Sequence, residues 1–210
     1  MERVKSPLIE WGVASRTLRG QEKSGDLYLV KPSPPEALVA VVDGLGHGAG
    51  AAAAAQIAIE SLAARDDESL PAKVTRCHED LRQTRGVVLS LASFRASDST
   101  MTWLGVGNVE GILVRAGALT ISGRETLLLR GGLVGDYLPP LRAFSLPVTR
   151  GDVLIFATDG VRGDFAEDII LTGPSQKIAD RILARHSFGN DDALVLAVRY
   201  VYGKDQAPFR

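Results

Sequence analysis

Four aspartates stand at the ends of apolar segments, and carboxylates placed in this way can do chemistry together. Asp43 and Asp159 each follow an apolar run directly and precede a glycine, in the segments VVDG and ATDG. Asp26 and Asp191 lie at or just before the start of apolar runs, in SGDLYLV and NDDALVL. Because the start of one antiparallel strand lies beside the end of its neighbour, all four side chains can converge on one rim of a sheet.

Carboxylates gathered in this way repel one another, and the repulsion indicates a bound cation. Like charges at close range raise each other's pKa or require a compensating ion, and all-oxygen ligands suit Mg²⁺ or Mn²⁺. Gly44 follows Asp43 and lacks a Cβ, so its backbone can approach an ion and offer the carbonyl oxygen as a ligand. Two such ions sharing a carboxylate would activate a bridging water and hold phosphate oxygens. The pattern therefore predicts phosphoester hydrolysis without a covalent enzyme intermediate.

The glycine-rich segment after Asp43 also satisfies a dinucleotide-binding pattern. Residues 44–49, GLGHGA, match G-x-G-x-x-G/A between an apolar strand and a helix-forming segment, so a nucleotide-binding oxidoreductase is an alternative. Against it, Asp43 would direct a carboxylate at the pyrophosphate, and two helices follow before the next strand. We favour the interpretation that these glycines let the chain turn tightly around a metal ion.

The elements that must position the aspartates follow from hydrophobic periodicity and turn residues. We predict a hairpin of strands at 9–18 and 26–31, a buried strand at 37–42, helices at 49–64 and 70–85, short strands at 86–94, 99–106, 111–114, 118–121 and 126–129, a loop at 131–140, a strand at 152–157, a helix at 175–185 and a strand at 193–200. Helices and strands do not alternate as in a doubly wound fold. The predicted class is therefore α+β, with two antiparallel sheets packed face to face and helices outside. Trp11, Trp103 and Cys77 are predicted to lie in the core.

Composition limits the partners and the compartment. A formal net charge of −1 and a pI near 6.3 give no general positive field for nucleic acid or an anionic membrane. No apolar run approaches the ~20 residues that span a bilayer, and the first residues lack the apolar region of a secretory signal. The single cysteine, Cys77, cannot form an internal disulfide. We expect a cytoplasmic protein without a nucleic-acid or membrane partner.

Four motifs resemble those of the metal-dependent protein phosphatase (PPM, type 2C) family. They are SGD at 24–26, VVDGLGHG at 41–48, ATDG at 157–160 and NDDALVLAV at 190–198. The variant DGLGHG and the short chain are similar to the bacterial SpoIIE-like branch, which includes phosphatases of the stressosome. The resemblance implies a four-layer αββα sandwich, with a single phosphatase domain over residues 1–202. The polar residues 203–210 predict a flexible tail.

The resemblance also assigns roles to the aspartates. It implies that Asp43 bridges two ions, Mn²⁺ or Mg²⁺, and is thereby catalytic. The Gly44 carbonyl, Asp159 and Asp191 would complete the ligand set, with Asp26 close by. The implied substrates are phosphoserine and phosphothreonine on stress-signalling partners such as phosphorylated STAS-domain stressosome proteins.

The chain departs from the broader family at two positions. Where many members have a histidine after the Asp-Gly pair, this chain has Leu45, and the nearest imidazole is that of His47, a candidate proton donor. The phosphate-binding arginine that some members place upstream of the first acidic motif has no aligned counterpart. Gln21 stands near the expected position, with Arg16 and Arg19 nearby.

These departures leave a second hypothesis open, namely a degenerate phosphatase that binds phosphoproteins without turnover. The intact acidic set favours the enzyme, which we expect to be a monomer. The polar neighbours of the motifs receive structural assignments: Asn108 in GVGN as a turn residue, and Asp192 as a strand-start residue beside the ligands.

Overall fold

The computed structural model describes residues 7–116 and 123–203, which form two antiparallel sheets and three α-helices. The elements in chain order are β1 Ile9–Arg16, β2 Asp26–Ser33, β3 Glu36–Gly44, α1 Ala49–Ala63, α2 Leu70–Asp80, β4 Val87–Arg95, β5 Thr100–Val106, β6 Glu110–Val114, β7 Arg124–Thr126, β8 Phe144–Pro147, β9 Val153–Ala157, a 3-10 helix Gly163–Asp168, α3 Ser175–His186 and β10 Ala193–Tyr200. The first sheet has the strand order β1-β10-β9-β6-β7, and the second has the order β2-β3-β4-β5-β8.

Alternation along the strands divides the apolar side chains between the two faces of each sheet. In β3, Val39 and Val41 belong to the cluster between the sheets, whereas Ala40 and Val42 belong to the cluster under α1 and α2. A third cluster joins the first sheet to α3. The layers therefore run helices, sheet, sheet, helix, which confirms the predicted α+β class and the αββα sandwich.

Helix α1 packs closely on the second sheet because its buried face is made of alanine. Ala54 and Ala58 are fully buried there. The helix begins after Gly48, whose φ of 76° lies in the left-handed region that favours glycine. At its other end, the amines of Lys31 and Lys73 donate to terminal backbone carbonyls at 2.7 and 3.0 Å, and their charge favours the negative end of the helix dipole.

The predicted hairpin between residues 9–18 and 26–31 is wrong. All eight residues of β1 pair with β10 in the first sheet, whereas β2 pairs with β3 in the second. The intervening segment crosses between the sheets, and the Asp192 carboxylate holds it by accepting hydrogen bonds from Leu18 N and Gly25 N, each at 2.7 Å. Long-range pairing with β10 thus replaces the local pairing that the turn residues indicated.

Smaller differences concern burial and element ends. Trp11 is 44% exposed, contrary to prediction, because β1 is an edge strand; Trp103 and Cys77 are buried as predicted. Helix α2 ends at Asp80 rather than at 85, and β8 was not predicted. The strand predicted at 126–129 is wrong in its bounds, because β7 spans Arg124–Thr126 and shares only Thr126 with it. The strand predicted at 118–121 and most of the predicted tail lie outside the described residues. No helix in the described part of the chain has the length and apolar character to cross a membrane.

Candidate metal centre

The first pair of aspartates lies at one end of the second sheet. Asp26 begins β2 and Asp43 is the last but one residue of β3, directly opposite Asp26 in the antiparallel register. Burial, followed by repulsion from Asp26, raises the pKa of Asp43 from 3.8 to about 8. Burial likewise raises the pKa of Asp26 to about 7, although a hydrogen bond from Thr158 opposes the shift. Like charges directly opposite one another destabilise a sheet, so this pair calls for compensation.

The second pair lies at an end of the first sheet. Asp159 follows β9, and Asp191 precedes β10, its antiparallel neighbour. Burial, and then repulsion from Asp191, raises the pKa of Asp159, while Asn108 Nδ2 donates to Asp159 Oδ2 at 2.8 Å. The charges of Asp159 and Asp191 also raise the pKa of Asp43. The structure thus brings all four predicted aspartates within reach of one another's charge.

A single hydroxyl joins the two pairs. Thr158 lies between β9 and Asp159, and its Oγ1 donates to Asp26 Oδ2 across the sandwich at 2.7 Å. The same Oγ1 accepts a hydrogen bond from Leu194 N, in β10, at 2.9 Å. Thr158 is buried, so both bonds form away from water. The hydroxyl therefore fixes the second sheet's aspartate to the strand ends of the first sheet.

The glycines after Asp43 and Asp159 are required by packing. A Cβ built on Gly44 would lie 2.2 Å from the carbonyl oxygen of Ala51, and one built on Gly160 would lie 1.9 Å from that of Asp192. Both neighbours are backbone atoms of adjoining elements and cannot move aside as a side-chain end can. Each Asp-Gly pair thus brings its strand end close to the backbone of another segment.

Hydrated divalent cations fit this set of donors. The donors expected here are the aspartate carboxylates and the carbonyl of Gly44, which directly follows Asp43, and such oxygens are hard ligands. Among residues 7–116 and 123–203, no three acidic, histidine or cysteine side chains form a ready-made ligand group. Mg²⁺ commonly binds only one or two carboxylates and keeps several waters. The arrangement therefore suits ions that retain water rather than an all-protein cage.

The other predicted residues line the turn that follows Asp43. Leu45 and His47 are exposed there, and Leu45 N donates to Gly86 O at 3.1 Å. Gln21 lies over the same turn, since a Cβ built on Gly48 would meet its Oε1 at 2.6 Å. This turn therefore presents an imidazole and an amide beside the aspartates.

Sequence reasoning missed the functional contacts of Asn108 and Thr158. Asn108 was assigned only to a turn, yet it holds the Asp159 carboxylate. Thr158 stands within the motif ATDG, and its hydroxyl next to a candidate ligand was a usable signal. Asp192, predicted to lie beside the ligands, accepts two backbone hydrogen bonds instead of facing solvent.

The chain matches a known protein family over most of its length. Residues 33–201 match the stage II sporulation protein E (SpoIIE) family. The chain belongs to this family. The predicted membership in the SpoIIE-like branch of the PPM phosphatases is thereby confirmed. Phosphoserine phosphatase RsbX of Bacillus subtilis (strain 168) is 33% identical over 97 residues, 45% of this chain and 47% of RsbX, so the match spans about half of that relative's length.

Several solved structures share the fold of this chain. A structure from work on the bacterial stressosome, described as a modular system adapted to control secondary messenger signalling, has a TM-score of 0.83 at 28% identity, covering 91% of this chain and 99% of that one. RsbX in complex with magnesium has a TM-score of 0.80 at 22% identity, with 91% and 94% covered. The PP2C phosphatase domain of SpoIIE from Bacillus subtilis, with a fragment of its regulatory domain, has a TM-score of 0.76 at 22% identity, with 93% and 64% covered.

Proposed function

We propose that this SpoIIE-family protein is a metal-dependent protein phosphatase that hydrolyses phosphoserine or phosphothreonine on a protein partner. The observation that carries the proposal is the convergence of two carboxylate pairs from different sheets; burial, and then repulsion among them, raises the pKa of Asp43 to about 8. Bound cations would stabilise such a site, because they offset the repulsion between its carboxylates. Family membership and the similarity to a phosphoserine phosphatase support the same conclusion.

The ligands of two Mn²⁺ or Mg²⁺ ions are assigned to Asp43, the Gly44 carbonyl, Asp159 and Asp191, with Asp26 beside them. Ions held there would supply a water of lowered pKa and neutralise charge on phosphate oxygens. We assign the bridging carboxylate to Asp43, because it feels the charge of every other aspartate in the set.

Neighbouring residues orient the ligands and handle the proton. Asn108 fixes Asp159, and Thr158 fixes Asp26, so neither carboxylate has to be ordered when substrate arrives. His47 is exposed in the turn three residues after the last in-strand residue, Gly44, and can reach a bound substrate. We assign to it the proton that the departing serine or threonine oxygen requires.

The proposed partner is a phosphorylated STAS-domain protein of a bacterial stressosome, in the cytoplasm. The support is the sequence similarity to RsbX and the structural similarity to a chain from stressosome work. A folded partner would present its phosphorylated residue to the rim that carries the aspartates. The proposed enzyme is a monomer and forms one phosphatase domain over residues 1–202.

Phosphate release from a phosphorylated STAS-domain protein tests the proposal. Release should depend on Mn²⁺ or Mg²⁺, stop in EDTA, and disappear in Asp43→Ala. The matched control is Asp67→Ala, which removes an exposed aspartate in the segment between α1 and α2. Full activity of Asp43→Ala, or release in EDTA, would refute the metal assignment.

The same assay separates a second candidate, a phosphoprotein-binding module without turnover. Leu45 favours that candidate, since it occupies the position where many PPM phosphatases have histidine. The module would bind the phosphoprotein in EDTA as well as in Mn²⁺ and would release no phosphate. Pull-down of phosphorylated and unphosphorylated partner in both conditions, beside the release assay, distinguishes binding from catalysis.

A further inference from the structure

The side chain of Arg85 lies against the glycine turn that follows Asp43. A Cβ built on Gly46 would lie 3.2 Å from Arg85 Nη1, and one built on Gly50 would lie 2.8 Å from Arg85 Nε. The backbone is tied to the turn as well, because Gly86 O accepts the hydrogen bond of Leu45 N. The guanidinium is thereby held against the glycine turn that begins directly after Asp43.

The guanidinium of Arg85 is available to a ligand. Within the described part of the chain it makes no hydrogen bond or ion pair, whereas Arg76 binds Glu68 and Arg16 donates to Ser187 Oγ. Arg85 is exposed, and a shallow cavity of about 350 Å³ opens beside it, between α1 and residues 83–85. Among residues 7–116 and 123–203, its N–H donors are therefore not engaged by other protein groups and can bind an incoming anion.

Glycine at position 50 leaves space that the guanidinium of Arg85 occupies, and a larger residue would displace it. Glycine within a helix costs stability relative to alanine, and Gly50 lies in the first turn of α1 without a positive φ. The three nearest atoms to a Cβ built there all belong to Arg85. Helix α1 also directs its uncapped N-terminal end to this side of the turn, which adds to the positive potential.

We infer, on the basis of the proposed function, that Arg85 binds the phosphate group of the substrate beside the metal centre. Guanidinium groups match phosphate oxygens with two parallel hydrogen bonds. Gln21, which lies next to Gly48 in the same turn, is neutral and cannot supply this charge. The residue therefore sets affinity and orientation for the phosphorylated side chain, while the aspartates hold the ions.

The test compares Arg85→Gln, Arg85→Lys and the control Arg82→Gln, which removes an exposed arginine three residues earlier in the chain. In Mn²⁺, Arg85→Gln should raise KM and the inhibition constant of inorganic phosphate roughly 10- to 100-fold, the value of a charge-assisted hydrogen bond. For Arg85→Lys, both constants should lie between those of Arg85→Gln and of the unsubstituted protein, because an ammonium keeps the charge without the paired geometry. Arg82→Gln should equal the unsubstituted protein.

Calorimetric Mn²⁺ titration keeps the two proposals distinguishable. Arg85→Gln should bind Mn²⁺ as tightly as the unsubstituted protein, since the guanidinium is not a ligand. If the unsubstituted protein is active and Arg85→Gln binds inorganic phosphate equally well, the inference is overturned while the proposed function stands. If the unsubstituted protein neither releases nor binds phosphate in Mn²⁺, both are overturned.

Gly50→Ala is a second test variant, which keeps the charge of Arg85 but displaces its guanidinium. Its methyl group would lie 2.8 Å from Arg85 Nε and push the flexible guanidinium aside, and alanine favours the helix, so the protein should remain folded by circular dichroism. Phosphate inhibition should weaken several-fold in this variant, yet show no further change when Gly50→Ala is added to Arg85→Gln. If Gly50→Ala weakens phosphate inhibition equally in the unsubstituted protein and in Arg85→Gln, it does not act through Arg85, and the inference is overturned.

Discussion

Asp43→Asn should stabilise the metal-free protein at alkaline pH. Burial and Asp26 raise the pKa of Asp43 from 3.8 to about 8, so between these values the folded protein holds a proton that the unfolded chain releases. Stability of the unsubstituted protein therefore falls as pH rises through this window, by about 1.4 kcal/mol per unit for one such proton. Asparagine does not titrate, so the variant lacks this loss of stability with rising pH. From pH 5 to pH 8 the variant should gain about 4 kcal/mol relative to the unsubstituted protein.

Urea unfolding in EDTA at pH 5, 6, 7 and 8 measures this difference, with equal denaturant slopes as the criterion for comparison. The exposed Asp67→Asn should show the same pH dependence as the unsubstituted protein. Addition of Mn²⁺ at 100 times its dissociation constant should stabilise the unsubstituted protein by about 2.7 kcal/mol and the Asp43→Asn variant far less. Identical pH slopes for Asp43→Asn and the unsubstituted protein would refute the clustering of charge at this site.

Three further substitutions address the supports of the site. Gly160→Ala places a methyl group 1.9 Å from the Asp192 carbonyl and should cost about 3 kcal/mol in urea unfolding, whereas Gly131→Ala, with nothing within 4 Å, should change stability by less than about 0.5 kcal/mol. Thr158→Val removes a buried hydroxyl with two hydrogen bonds and should lower the thermal midpoint, at a cost of about 1–3 kcal/mol. Asn108→Ala frees a candidate ligand and should weaken Mn²⁺ binding about 10-fold by calorimetry, with unchanged affinity counting against the orienting role.

Local sequence signals were enough to predict the strand ends that carry the aspartates. Apolar runs that stop at Asp43 and Asp159 mark buried strands, and antiparallel neighbours bring a second aspartate to each end. The turn after Asp43 and the helix α1 followed from glycine and alanine content. The αββα arrangement was then the remaining way to cover both sheets.

Contacts between distant segments could not be predicted in the same way. β1 pairs with β10, nearly the whole chain away, so the turn residues after β1 gave the wrong partner. Thr158 and Asp26 are separated by 132 positions, and only the packing of the two sheets makes them adjacent. Arg85 looked like an ordinary residue at a helix end, because its place over Gly50 depends on how α1 lies beside it.

The hydroxyl of Thr158 couples the affinity for the metal ions to the packing of the two sheets against each other. The hydroxyl donates to Asp26 in the second sheet, while Thr158 is held in the first sheet through Leu194, so sliding of one sheet over the other would stretch the bond to Asp26. A partner protein that binds the outer helices and displaces one sheet relative to the other would thereby lower the affinity for the cations. Reciprocity requires that cation loading resist that shear with the same free energy.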